Sequence, residues 1–403
     1  MAQAALIESR PSHVRLIAVI SAAHFVSHYY ILILAPLLPF VRDAYGVSYT
    51  EIGLALTAFN IVTGALQTPA GFLVDWLGAR VILIIGLLIG ATAFVVVGLV
   101  DSYWVLVAMF ALAGVGNTVY HPADYALLSD HVPADRIGQA FSIHTFAGML
   151  GSAAAPASLL MMQSVWGWRG AFIGAGLFGF GVAAVLMLVR DNPPVHAAAP
   201  RAPGATTAVG WRLLLSTPIL MNFFFFILLA MISGGMFNYS VVALGALYGT
   251  PAAIANGGLS ALLLLSAFGV LAGGVVATRA ARHAWVAALG LAGMALMSAL
   301  IAQFDLGTIL LFAVMMSFGF FYGVIMPSRD MIVREVTPPG SFGKVFGFVT
   351  TGFNIAGIVS PLVFGAIMDQ GSPRLVFVAV AVFALLSVFT VVSLPKGLAK
   401  KAA

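Results

Sequence analysis

Twelve long apolar stretches follow one another along this chain, and nothing else in it constrains the fold as much. They run approximately over 16–41, 51–74, 80–100, 103–129, 137–163, 169–190, 213–245, 252–277, 284–303, 306–333, 344–368 and 374–394. Each is about 20 residues or longer, the length a helix needs to cross a hydrocarbon layer. Only a helix satisfies its own backbone within one lipid-exposed segment, so each stretch reads as a transmembrane helix. A membrane barrel would need short strands of alternating polarity, and the sequence has none. Charge agrees: 8% of the 403 residues are charged, against roughly 25% in a soluble domain.

Loop charge sets the direction of the spans. One side holds Arg10, Arg15, Arg80, Arg136, Arg190, Arg201, Arg212, Arg279, Arg282, Arg334, Lys344, Lys396, Lys400 and Lys401. The other holds Arg42, Arg169 and Arg374. Positive loops stay in the cytoplasm, so both termini are expected there, and the expected location is the cell inner membrane. The first residues, MAQAALIESRPSHVR, are too polar for a cleavable signal, and the apolar stretch after them is long enough to span. The net charge of +5 does not point to nucleic acid, because the basic residues are spread singly over loops. Cysteine is absent, which excludes disulfides, thiolate metal sites and cysteine nucleophiles.

The longest connection, DNPPVHAAAPRAPGATTAVGW, is rich in Ala, Pro and Gly. It reads as a cytoplasmic linker over 191–212 between halves 1–190 and 213–403. The halves repeat. An offset of 205 places Pro122 on Pro327, Pro133 on Pro338, Gly138 on Gly343, Phe141 on Phe346 and Pro156 on Pro361. An offset of 203 places Tyr45 and Gly46 on Tyr248 and Gly249, and Gly71 on Gly274. The expected fold class is therefore an all-α membrane protein of twelve helices in two pseudo-symmetric six-helix bundles, a plan that parallel repeats build in transporters.

Between the second and third spans lies GFLVDWLGAR, residues 71–80. Over essentially its whole length the chain resembles the major facilitator superfamily, whose loop pattern G-x-x-x-D-x-x-G-x-[RK] is filled here by Gly71, Asp75, Gly78 and Arg80. The resemblance implies that Asp75 faces the N-terminus of the eleventh helix near Gly343, whose dipole favours an anion. The second-half copy, GVVATRAAR, has Thr278 in place of the acid. Within the superfamily, AHFVSHYYILILAPLLP and VYHPADYALLS look like the fosmidomycin-resistance group of exporters. The second stretch departs from that group's F-H-P-E pattern, with Ala123 at the acid's place and Asp124 one residue later. The antiporter arginine ahead of Gly114 and Gly116 is missing, and Ala155 replaces the glycine of the antiporter G-P motif. The resemblance implies a monomer without a cofactor.

Inside the fourth span stand Asn117, Tyr120, His121 and Asp124, beside the helix-breaking Pro122. An ionisable group in a membrane helix costs several kcal/mol and marks a pathway or relay. The repeat sets Asp124 on Arg329 and Tyr125 on Asp330. Two readings of Asp124 stand: it pairs with Arg329 of the other half, or it bonds to nearby Tyr or His. His24 and His28 are four apart on the first span, and His144 lies early in the fifth. Histidine titrates near physiological pH, so these are candidate proton carriers or substrate contacts. A metal on His24 and His28 lacks a carboxylate on the same helix, and no metal is expected. Asn60, Gln67, Asn238 and Asn354 line a cavity or join helices. The run Phe223 to Phe226 reads as packing, and Gly148, Gly151, Gly352 and Gly357 suit close helix contacts.

No phosphate-binding glycine loop follows a strand, so nucleotide hydrolysis is not the driver. No clustered nucleophile or acid–base set suggests an enzyme. The expected function is secondary active transport of a small amphiphilic or anionic organic compound, as proton-coupled export by alternating access. The alternative is uptake or exchange of a small organic anion.

Overall fold

The computed structural model describes residues 2–133, 137–189, 211–337 and 342–393. Its elements are all helices: α1 (Ala2–Ile31), α2 (Leu38–Tyr45), α3 (Tyr49–Leu77), α4 (Ala79–Leu99), α5 (Tyr103–Asn117), α6 (Tyr120–His131), α7 (Ile137–Leu188), α8 (Trp211–Leu214), α9 (Thr217–Tyr248), α10 (Ala252–Arg279), α11 (His283–Gln303), α12 (Gly307–Val336), α13 (Phe342–Asp369) and α14 (Arg374–Val392). Eleven of them, with α5 and α6 counted as one run, are long and apolar enough to cross a membrane. The count is eleven because α7 runs two helices together across a kink. Gly167 breaks it with φ 70° and ψ 171°, a conformation that costs a side-chain-bearing residue dearly. The two parts of α7 are the fifth and sixth expected spans, which makes twelve.

Two expected spans are interrupted well inside their bounds, and a third, 213–245, breaks near its start between α8 and α9. The first, expected over 16–41, stops at Ile31, and a turn over 32–37 leads into α2. Pro36 supplies no N–H to continue the helix, and Pro39 fits the first turn of the next. Leu32, Ile33, Leu34, Ala35 and Leu37 in this turn are nevertheless buried. The fourth span divides at Thr118 and Val119 into α5 and α6. Pro122 lies one turn further on and has no N–H for the carbonyl of Thr118.

The chain forms two compact units, 1–40 with 58–204, and 41–57 with 205–403. The linker expected at 191–212 lies almost wholly outside the described residues. In the first unit α7 packs along α1 and α4, and α4 also packs on α5 and α6. In the second, α10 pairs with α12, α9 with α13 and α14, and α11 with α12 and α14. Glycines set the closest approaches in both, and they follow the repeat. A Cβ on Gly114 would come within 2.6 Å of the Phe59 carbonyl oxygen, and one on Gly319 would meet that of Leu262. The offsets of 205 and 203 relate these two pairs, so the same helix crossing is built twice.

Residues 41–57 belong to the second unit, and hydrogen bonds show why. The Asp369 carboxylate, at the end of α13, accepts from the N–H groups of Tyr49 and Thr50 at 2.6 and 2.8 Å and from the Thr50 hydroxyl at 2.5 Å. It satisfies donors that the start of α3 leaves unpaired. Deeper in, the Thr57 hydroxyl donates to the Ile358 carbonyl at 3.1 Å. Tyr239 donates to the Pro361 carbonyl at 2.7 Å.

Candidate functional site

The polar groups of the first unit converge where α1, α6 and α7 meet. Asp124 is fully buried. His24 Nδ1 lies 3.3 Å from its Oδ2, and His144 Nε2 lies 3.6 Å from the same oxygen. Both imidazoles are buried too. Their rings stack on each other, with centroids 3.8 Å apart. His28 lies next to His24, with ring centroids 4.7 Å apart. Its Nδ1 is 3.2 Å from the Ser152 hydroxyl. His121 is 5.4 Å from His24, ring to ring. Unlike Asp124, three residues on, His121 is exposed. Tyr125, also exposed, stacks on His121 and meets His144 edge-on. The cluster thus runs from a buried carboxylate, through buried imidazoles, to an exposed imidazole and phenol.

Backbone geometry permits this crowding. His24 and His28 sit one turn apart on α1 and face α7. There α7 presents Gly148, where a Cβ would come within 2.5 Å of His24 and 2.9 Å of His28. One turn of α1, from His24 to His28, lies against glycines of α7, since Gly151 meets the Phe25 carbonyl in the same way. The cost of burying Asp124 is offset only if a cation or proton accompanies it. Yet neither carboxylate oxygen, nor His24 Nδ1, nor either nitrogen of His144, has a hydrogen-bond partner among the described residues.

Asn117 ends α5 and is half-buried, while Tyr120 opens α6 with its hydroxyl buried and unpartnered among the described residues. Arg329 and Asp330 belong to α12 in the second unit. Arg329 Nε and Nη2 donate to Asp330 Oδ1 at 2.9 and 2.8 Å. The guanidinium also lies over Phe226 and Phe353, at 4.9 and 5.3 Å from the ring centroids. Asp124 and Arg329, expected as candidates for mutual pairing, each have an ionisable neighbour within their own unit. For Asp124 this is the local alternative, with histidine as the partner. The phenylalanine run is likewise only partly packing, since Phe226 is one of the rings under Arg329.

Of the loop motif, Gly78 has φ 90° and caps α4, a backbone that favours glycine. Arg80 donates to the carbonyl oxygens of Leu186 and Val189 at the end of α7, where a cation meets the negative end of the helix. Gly71 lies in the last turns of α3. The side chain of Asp75, like the surroundings of Gly343, lies outside the described residues.

Sequence reading missed Ser152, Tyr125, Phe353 and Asp369. Serine, tyrosine and phenylalanine in apolar helices carry no signal of their own until the neighbouring helix is known. Asp369 had a signal, as an acid at the end of a span, but nothing in the sequence pairs it with α3.

Two units of repeated helices, with buried ionisable groups gathered inside the first, define a polytopic α-helical membrane protein of the kind that moves solutes. The chain belongs to the Major Facilitator Superfamily, whose family model matches residues 20–317 and 228–402. It is 23% identical over 387 residues to the fosmidomycin resistance protein of Escherichia coli K12, covering 93% of this chain and 92% of that one. It is 30% identical over 157 residues to a protein of the same strain described as a probable L-galactonate transporter. That match covers 39% of this chain and about a third of the relative, 35%. Among solved structures, a bacterial homologue of the human lysosomal transporter Spinster superposes with a TM-score of 0.77 at 15% identity, covering 95% of this chain and 96% of that one. It shares the fold.

Proposed function

We propose that this protein is a secondary active transporter that exports a small amphiphilic or anionic organic compound in exchange for protons, by alternating access, as a monomer in the cell inner membrane. One observation carries the reading: a fully buried carboxylate, Asp124, lies within 3.6 Å of two imidazoles, beside a third that is exposed. Such a group is costly in a membrane helix and is retained where ions or protons pass. His121 at the exposed edge is the entry, and His24, His144 and Asp124 are the inner seats for a proton. His28, held by Ser152, keeps His24 in place. Asn117 and Tyr120 add polar contacts beside the path.

Arg329 receives the substrate's anionic group. Its aromatic surroundings suit a compound that is partly apolar, and Asp330 holds the guanidinium when no substrate is bound. Gly71, Asp75, Gly78 and Arg80 act in the conformational change rather than in binding. A second reading, uptake or exchange of a small organic anion, is favoured by Arg329 and by the sugar-acid name of one relative. Both readings are tested in proteoliposomes with a trapped pH dye, on a panel of organic anions, phosphonates and amphiphilic drugs. Proton movement that depends on the compound and is lost in Asp124→Asn is the expected result. Compound flux without a proton signal overturns coupling and leaves exchange.

A further inference from the structure

Sequence alone argues against a metal, because α1 offers His24 and His28 without a carboxylate. Folding changes the donor set. The carboxylate arrives from α6 as Asp124, a second imidazole arrives from α7 as His144, and His28 turns aside to Ser152. We propose that His24 Nδ1, Asp124 Oδ2 and His144 Nε2 form a binding site for a divalent transition-metal ion of the zinc type. This goes beyond the transport reading and does not depend on it.

Three observations carry the proposal. First, the donors are chemically right: two imidazoles and one carboxylate are a common three-ligand set that leaves a position open. Second, the spacing is right. Ligand bonds of about 2.0 to 2.1 Å in a tetrahedron put the donor atoms roughly 3.4 Å apart. The two measured edges are 3.3 and 3.6 Å. One ligand atom from each of the three residues can be taken so that all lie within 4.8 Å of one another, a spread that small side-chain rotations can close. Third, these atoms are buried and make no hydrogen bonds among the described residues. Donor atoms that crowd together without bonding to one another fit convergence on a common central ion, and burial without such a partner is costly. Neutral imidazole and ionised carboxylate are the forms a dication binds.

The test is zinc binding to the purified full chain, prepared without a polyhistidine tag, followed by calorimetry at neutral pH. One zinc per chain is expected. His24→Gln, Asp124→Asn and His144→Gln should each weaken it by at least about tenfold, while Gly181→Ala, where an added Cβ meets nothing within 4 Å, leaves it nearly unchanged. Cobalt(II) in place of zinc should give the intense visible bands of a tetrahedral site, and these should vanish in the same three variants. Should Asp124→Asn fail to fold, His144→Gln decides with the same readout. Absence of saturable zinc binding, or binding that survives Asp124→Asn, overturns the proposal. Proton-coupled transport remaining in that case shows that the transport reading stands without it.

Discussion

Gly148→Ala adds one methyl group at the tightest point of the cluster. Its Cβ would lie 2.5 Å from His24 Cδ2, 2.7 Å from His24 Nε2 and 2.9 Å from His28 Cδ2. Carbon contacts normally settle at about 3.5 to 4.0 Å, so both rings must retreat by roughly 1 Å. His24 has nowhere free to go, being stacked on His144 on one side and set against Asp124 on another. Overpacking of this kind costs about 1 to 3 kcal/mol. Alanine is better than glycine in a helix by about 1 kcal/mol, which works in the opposite direction. The control is Gly181→Ala, on the same helix, where an added Cβ meets nothing within 4 Å. Subtracting one variant from the other cancels the helix preference and leaves the steric cost. Unfolding in a detergent titration should therefore place Gly148→Ala about 1 to 3 kcal/mol below Gly181→Ala. Proton movement in liposomes should fall only in the first. If the two variants unfold alike and both transport normally, the imidazoles are not seated by Gly148 and the geometry of the cluster is wrong.

Tyr239→Phe removes a buried hydroxyl and leaves the Pro361 carbonyl without its 2.7 Å bond. It should lower stability by about 1 to 3 kcal/mol in equilibrium unfolding, and an unchanged midpoint would mean that water replaces the bond. Asp369→Ala removes the cap from the start of α3. Loss of a helix cap costs about 1 kcal/mol, so amide exchange at Tyr49 and Thr50 should quicken by roughly fivefold. Unaltered protection at those two amides would exclude the cap.

The extent of the apolar stretches and the period of the repeat made the fold legible, because a membrane leaves the backbone one solution per span. The breaks were less legible. Pro122 announced the division between α5 and α6, but the turn over 32–37 is hidden inside an apolar, fully buried run whose only marks are Pro36 and Pro39. Gly167 is one of many glycines in α7, and only its positive φ singles it out. At the site, the residue types were readable and their partners were not. His24, His28, His121, His144 and Asp124 stand out as polar groups in apolar helices. Which imidazole reaches the carboxylate depends on how α1 turns against α7. Spacing along α1 favoured His24 with His28, whereas the packing joins His24 to Asp124 and His144.

The repeat predicts place without predicting chemistry, and the difference between the halves is where function enters. The crossing at Gly114 is copied at Gly319, down to the carbonyl each glycine faces. At the same offset of 205, however, Gly148 becomes Phe353, His144 becomes Val349 and Asp124 becomes Arg329. Each half surrounds its ionisable residue with the groups that suit its charge. The acid of the first half is packed against imidazoles, which can carry a proton to it. The guanidinium of the second lies over the faces of Phe226 and Phe353, whose negative π surfaces stabilise a cation without neutralising it. Glycine at 148 is needed because two imidazoles must fit beneath α7. Phenylalanine at 353 is possible because the corresponding space in the second half is filled by the ring itself. On the proposed function, proton chemistry therefore belongs to the first unit, and the positive charge that would meet an anion once Asp330 yields it belongs to the second.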